Sequence, residues 1–221
     1  NGQAAHVVTS DNVDHVVGAA ADATVIASNN YSLKAQANHW KALSNSTTGK
    51  ALSDVSLAVD AISAKTDTAG SAMLSSLPNA QTTLTAIKSI SSDADKATAA
   101  QAVGLTDAIS ILKMIVGLNV NSNNVPLSPY QAIAADFDQS GDVGLTDAIG
   151  VLKMVVGLSA PTPSWKYYDD TKLASSYTSS QSLNPKGWTN TAELSDSGTA
   201  DSSVKLVGVL TGDVDGSWTG V

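Results

Sequence analysis

Four aspartates and a serine crowd into the twelve residues Asp136-Phe-Asp138-Gln-Ser140-Gly141-Asp142-Val143-Gly144-Leu-Thr-Asp147. A hard cation such as Ca²⁺ needs several oxygens converging from one short segment. A twelve-residue loop supplies them from positions 1, 3, 5, 7 (a backbone carbonyl), 9 and 12, with glycine at 6. Those places hold Asp136, Asp138, Ser140, the Asp142 carbonyl, Gly144 and Asp147, with Gly141 at the turn. Glycine is required there because the chain must reverse through a left-handed conformation. Val143, at position 8, is apolar and suited to anchor the loop in a core. The competing reading is a polar turn whose aspartates cap the next helix. Spacing, glycine and flanking segments favour calcium, although serine at position 5 and aspartate rather than glutamate at 12 point to a weak site.

A second acidic group is divided along the chain. Asp213-Val-Asp215-Gly-Ser217 repeats the Asp-x-Asp-x-Ser spacing of Asp136 to Ser140, and is a loop front without a back. Val103 to Asp107 matches the back of the loop without a front, since counting back from Asp107 places Lys96, Thr98 and Ala100 at positions 1, 3 and 5. Asp107, Asp213, Asp215 and Ser217 are thus a candidate second metal site, closed within one chain or between neighbouring chains. The alternative is a simple turn after a strand.

Catalytic patterns are not found. His6, His15 and His39 are scattered and lack the glutamate of a metalloprotease motif. There is no Gly-x-Ser-x-Gly elbow, P-loop or dinucleotide fingerprint. Paired acids for glycoside chemistry remain formally open, but calcium already accounts for the clustered aspartates, and a non-enzymatic chain is expected.

The elements that must position these acids are marked by a repeat. Val103 to Leu118 returns forty residues later as Val143 to Leu158, identical at thirteen of sixteen positions. Each copy predicts a short helix, with Thr106 or Asp107 as N-cap, an apolar stripe at Ile109, Leu112 and Val116, and Gly117 at the stop. The second stripe is Ile149, Leu152 and Val156, before Gly157. Lys113 and Lys153 suit helix C-termini. Ser128-Pro129 predicts the start of a third helix through Tyr130, Ile133 and Ala134.

Paired loop-helix units of the EF-hand type with aspartate at position 12 resemble the dockerin module of bacterial extracellular proteins, over roughly residues 96–158. The resemblance implies calcium ligands at Asp136, Asp138, Ser140, Asp142 and Asp147, no catalysis, and a cohesin-like protein partner. It implies Leu105, Thr106, Leu145 and Thr146 as partner-binding positions. The halves lie further apart here than in a typical dockerin.

Before the repeat, Asp54 to Val59, Ala72 to Leu74 and Thr83 to Ile87 alternate apolar and polar residues between turns at Thr66 to Gly70 and Leu77-Pro-Asn79. This is the pattern of an antiparallel sandwich. The order resembles the carboxypeptidase-regulatory or Cna-B class of Ig-like folds over residues 31–90. Ala19 to Ala23 could equally be helical, and His39-Trp40-Lys41 reads as part of a strand. Strand-like pieces recur at Trp165 to Tyr168 and Val204 to Leu210. The expected fold class is α+β and multidomain. A β-sandwich spans 1–95, a dockerin-like three-helix calcium module 96–160, and a C-terminal β segment 161–221. Trp40, Trp165, Trp188 and Trp218 are expected as core or interface anchors rather than a carbohydrate platform.

Composition bounds the function. A net charge of −8 excludes a basic nucleic-acid surface. Zero cysteines exclude disulfides and thiolate metal sites, and no apolar run is long enough to span a bilayer. The chain starts at Asn1 without a visible signal peptide, as expected of a mature product or a piece of something longer. The acidic, lysine-poor composition suits a secreted protein, and the dockerin resemblance implies an extracellular or bacterial cell-surface location. Two function classes result: a secreted calcium-binding attachment or assembly module, or a self-polymerising subunit of a filament or surface layer, a homo-oligomer or fibre. The arrangement resembles C-terminal parts of large exported adhesin-like proteins, which serves both classes.

Overall fold

The computed structural model describes residues 6–10, 13–17, 31–40, 50–77, 82–176, 185, 192–194 and 202–220. Ala19 to Ala23, Lys41, Asn79 and Trp188, about which the sequence carried expectations, lie outside them. Strands β1 (His6–Ser10) and β2 (Val13–Val17) form an antiparallel hairpin.

Period-two alternation builds the next layer. In β3 (Tyr31–His39) every second residue is buried, from Tyr31 through Leu33, Ala35 and Ala37 to His39. Strands β4 (Ser56–Val59), β5 (Ile62–Lys65), β6 (Ser71–Leu77) and β7 (Thr82–Ile87) follow. The turn before β6 is fixed by Asp67, whose Oδ1 accepts the N–H groups of Ala69 and Ser71, both at 2.9 Å. Helix α1 (Asp93–Ala102) starts on Ser92, whose hydroxyl accepts the Asp95 N–H. It is followed by α2 (Leu105–Ile115), α3 (Pro129–Ala135) and α4 (Leu145–Val155), then β8 (Trp165–Asp169), α5 (Asp170–Ser176), β9 (Ala192–Leu194) and β10 (Ser202–Leu210). The mixture of sheets and helices is α+β.

Two four-stranded sheets, in orders β6-β3-β10-β8 and β5-β4-β7-β9, face each other. Leu33, Leu57, Leu74, Leu77 and Leu84 fill the space between them. The expected antiparallel sandwich of residues 1–95 needs correcting on two counts. Its first sheet is completed by β8 and β10 from beyond residue 160, and β10 runs parallel to β3, pairing Val204 with Ala35 and Leu206 with Ala37. The reason lies in β10 itself. It buries Val204 and Leu206 in the sandwich but Val209 among the helices, so it must lie in the sheet interior where both faces are covered.

The helices share one core of Val103, Ala108, Ile111, Ile133, Phe137, Val143, Ala148, Val151, Val209 and Val214 with their neighbours. Helix α3 opens as predicted. Ser128 Oγ accepts the Gln131 N–H and Gln131 Oε1 accepts the Ser128 N–H, a reciprocal cap. In α2 and α4 two expectations fail. The N-caps are Gly104 and Gly144, with Asp107 and Asp147 in the first turn rather than at the cap. The inward faces are Ala108, Ile111 and Met114, and Ala148 and Val151. The stripe of Ile109, Leu112 and Val116, with Ile149 and Val156, is exposed instead, at 43%, 39%, 67%, 41% and 67%, while Leu152 alone is half-buried against the helical core as expected. Both helices carry two apolar stripes. The small Ala108 and Ala148 let the helices approach the core closely, which selects the face that turns inward.

Candidate metal centres

Among the described residues, two groups of three aspartates offer carboxylate oxygens within 4.8 Å of one another. One is Asp136, Asp138 and Asp147; the other is Asp107, Asp213 and Asp215.

The first is the continuous loop. Asp136 closes α3, and both its oxygens accept the Gly141 N–H, at 3.2 and 3.1 Å. Asp138 Oδ1 accepts the Ser140 N–H at 2.9 Å. Asp147 holds the ends together: Oδ1 accepts the Asp138 N–H at 2.9 Å and Oδ2 the Gly144 N–H at 2.8 Å. Ser140 Oγ donates to the Asp142 carbonyl at 3.2 Å, which brings positions 5 and 7 together. Gly141 has φ +95°, the left-handed turn expected at position 6. Phe137 and Val143 are buried below and fix the loop to the core.

The second group is assembled from two distant stretches of chain with similar wiring. Asp107 Oδ1 accepts the N–H groups of Val214 and Asp215, at 2.7 and 3.1 Å, and Oδ2 accepts the Gly104 N–H at 2.8 Å. Asp215 Oδ1 accepts the Ser217 N–H at 3.0 Å, as Asp138 does from Ser140. Asp213 Oδ1 also accepts from Ser217 N–H, at 2.8 Å, and its Oδ2 accepts the Trp218 N–H at 3.2 Å. Ser217 Oγ donates to the carbonyl of Ala102 at 3.0 Å. Ala102 stands forty residues before Asp142 and takes its place as the position-7 carbonyl. The sequence reading missed this ligand, although the repeat offset points to it. Position 6 is Trp218, with no left-handed backbone among the positive-φ residues. None is needed, because position 7 comes from α1 and the chain does not have to reverse between them.

Crowding leaves an electrostatic imprint on both groups. Burial, with Asp215 and Asp213 alongside, pushes the Asp107 carboxyl up to about 7. Burial also raises Asp136, helped by Asp147 and Asp138, and burial with the Asp138 charge raises Asp147. For Asp138 burial is outweighed by hydrogen bonds from Ser140 and Thr146, and its carboxyl is lowered. Negative charge accumulates where several carboxylates cluster, and among the described residues no lysine is ion-paired with them; His39, beside Asp213, is the one basic side chain in contact. A divalent cation is the natural counter-charge.

No family model, curated protein or solved structure matches the chain. The two sites therefore have to be read on their own chemistry.

The remaining sequence candidates fall on the surface. Leu105 and Leu145 are exposed, and Thr106 and Thr146 are exposed beside them, at the start of α2 and α4. Three tryptophans are accounted for as anchors. Trp40 is buried in the helical core, while Trp165 and Trp218 pack edge-to-face at 5.0 Å. Among the described residues, no helix is long and apolar enough to cross a membrane.

Proposed function

We propose that this chain is a non-enzymatic, calcium-binding module of a secreted bacterial surface protein, serving attachment or protein–protein assembly. The observation that carries the reading is the Asp136–Asp147 loop. Its three carboxylates converge, its position-6 glycine is left-handed, and its serine hydroxyl and position-7 carbonyl lie together. All the donors are oxygen, which suits calcium better than softer metals.

The attachment half of the proposal draws on α2 and α4. Leu105, Ile109, Val116 and their repeat counterparts Leu145, Ile149 and Val156 are exposed large apolar residues. Scattered exposed leucines need no explanation, but a repeated stripe flanking a metal loop is the kind of surface a protein partner covers. A dockerin-like role, with a cohesin-like partner, fits that placement. Self-association into a fibre is the second reading, favoured by the same stripe offering two similar faces.

The test is thermal melting and sedimentation of the intact chain with calcium and with chelator. Calcium should raise the melting temperature in the wild type and lose that effect in Asp136→Ala. An unchanged calcium shift in the variant would overturn the loop assignment. Calcium-dependent fibres would select self-assembly; a monomer would select the attachment module.

A further inference from the structure

We infer that Asp107, Asp213, Asp215, Ser217 and the Ala102 carbonyl form a second calcium site within one chain, and that its ion latches β10 into the sheet. The site does not depend on the continuous loop: its ligands are different, and its failure would leave the Asp136–Asp147 reading intact.

Acidic residues alone would not carry this. The independent observation is His39, the last inward residue of β3, which is 2% exposed. Its Nε2 lies 3.3 Å from Asp213 Oδ2, yet it forms no hydrogen bond. A buried imidazole nitrogen left without a hydrogen-bond partner carries a desolvation cost. It is aimed at Oδ2 of Asp213, a carboxylate that is itself fully buried. Carboxylates that ligate a metal are in turn held by donors from the surrounding protein. Asp213 is arranged that way. Oδ1 sits on the Ser217 side with Asp215, and Oδ2 faces the Trp218 N–H and His39.

The latch follows from topology. Ligands come from the end of α1, the start of α2 and the segment after β10. His39 adds β3, the parallel neighbour of β10. Gly212, between β10 and the loop, donates its N–H to the Ala134 carbonyl at 2.7 Å. The buried Val214 carbonyl faces Gln131 Nε2 at 3.4 Å. An ion here ties the C-terminal strand to the helices and to the first half of the sandwich at once. Without it, three clustered carboxylates, two of them buried, oppose the same closure.

The experiment is equilibrium dialysis of the full chain against calcium, with tryptophan emission followed in parallel. Asp215 is exposed, so Asp215→Asn keeps the side-chain shape and removes a charge without disturbing the core. The wild type should bind two ions, and Asp138→Asn and Asp215→Asn one each. Loss of supporting contacts alone weakens metal sites by about 10–100-fold, so loss of a direct ligand should weaken this one at least about tenfold. The calcium-induced change in tryptophan emission, reporting Trp218, should survive Asp138→Asn and vanish in Asp215→Asn. Equal stoichiometry in Asp215→Asn and wild type would overturn the second site. An emission change retained in Asp215→Asn would overturn the latch.

Discussion

Asp107 Oδ1 accepts the backbone N–H of Val214 at 2.7 Å across 107 residues of chain, and so joins the first repeat helix to the C-terminal loop. Asp147 does the same work locally, accepting the Asp138 N–H nine residues away at 2.9 Å. One residue type at one repeat position therefore closes a continuous loop in one copy and a divided loop in the other.

Calcium should stabilise the fold in proportion to site occupancy. Extracellular sites of this ligand class bind at roughly 10⁻⁴–10⁻³ M. At about ten times Kd one site adds about 1.4 kcal/mol by mass action. Differential scanning calorimetry across a calcium series reads this directly, and a flat melting temperature would contradict it.

Stability without the cation should fall as pH rises. The Asp107 carboxyl sits at about 7 in the folded chain against 3.8 ordinarily, so between those values the folded state holds more protons than the unfolded one. Asp136 and Asp147 are raised too and act in the same sense, while Asp138 acts oppositely. Denaturant midpoints of chelator-treated protein should decline from about pH 4 to about pH 7. Asp107→Asn should flatten that decline. A decline of the same steepness in the variant would mean Asp107 is not its source.

Core and surface stripes of α2 should respond differently. Ile111 is fully buried, and Ile111→Ala should cost about 2–5 kcal/mol. Val116 is 67% exposed, and Val116→Ala should change stability by no more than about 0.5 kcal/mol. Urea unfolding of both variants checks the helix orientation; equal losses would mean the exposed stripe is packed.

Gly212 should tolerate no side chain. Its φ is +93°, and a Cβ there would lie 2.8 Å from Val103 Cγ1 and 3.0 Å from Phe137 Cδ2. Those are the anchor residues of the two loops, so Gly212→Ala should lower the melting temperature and weaken calcium binding together. A variant with wild-type melting would show the contact to be relaxed.

Some of this was legible in the residues, and some was hidden by topology. Ligand spacing and Gly141 marked the continuous loop, and Ser128-Pro129 marked α3, because both depend on short-range geometry. The pairing of Asp213 to Ser217 with Asp107 was suggested only by two fragments matching one template. The place of β10 between β3 and β8 was not readable, since parallel partners can lie anywhere along the chain. Nor was the inward face of α2, where Ala108 and Ile111 compete with Ile109 and Leu112 and only the neighbours decide. The buried His39 looked like an ordinary strand residue, and its meaning depends on Asp213 arriving from the far end.

The central claim is calcium binding at the Asp136–Asp147 loop, and calorimetric titration of the cation-free intact chain tests it most directly. Saturable calcium binding is expected with Kd of roughly 10⁻⁴–10⁻³ M, with one ion fewer bound by Asp136→Ala. No saturable binding, or the same isotherm in Asp136→Ala as in the wild type, would contradict it.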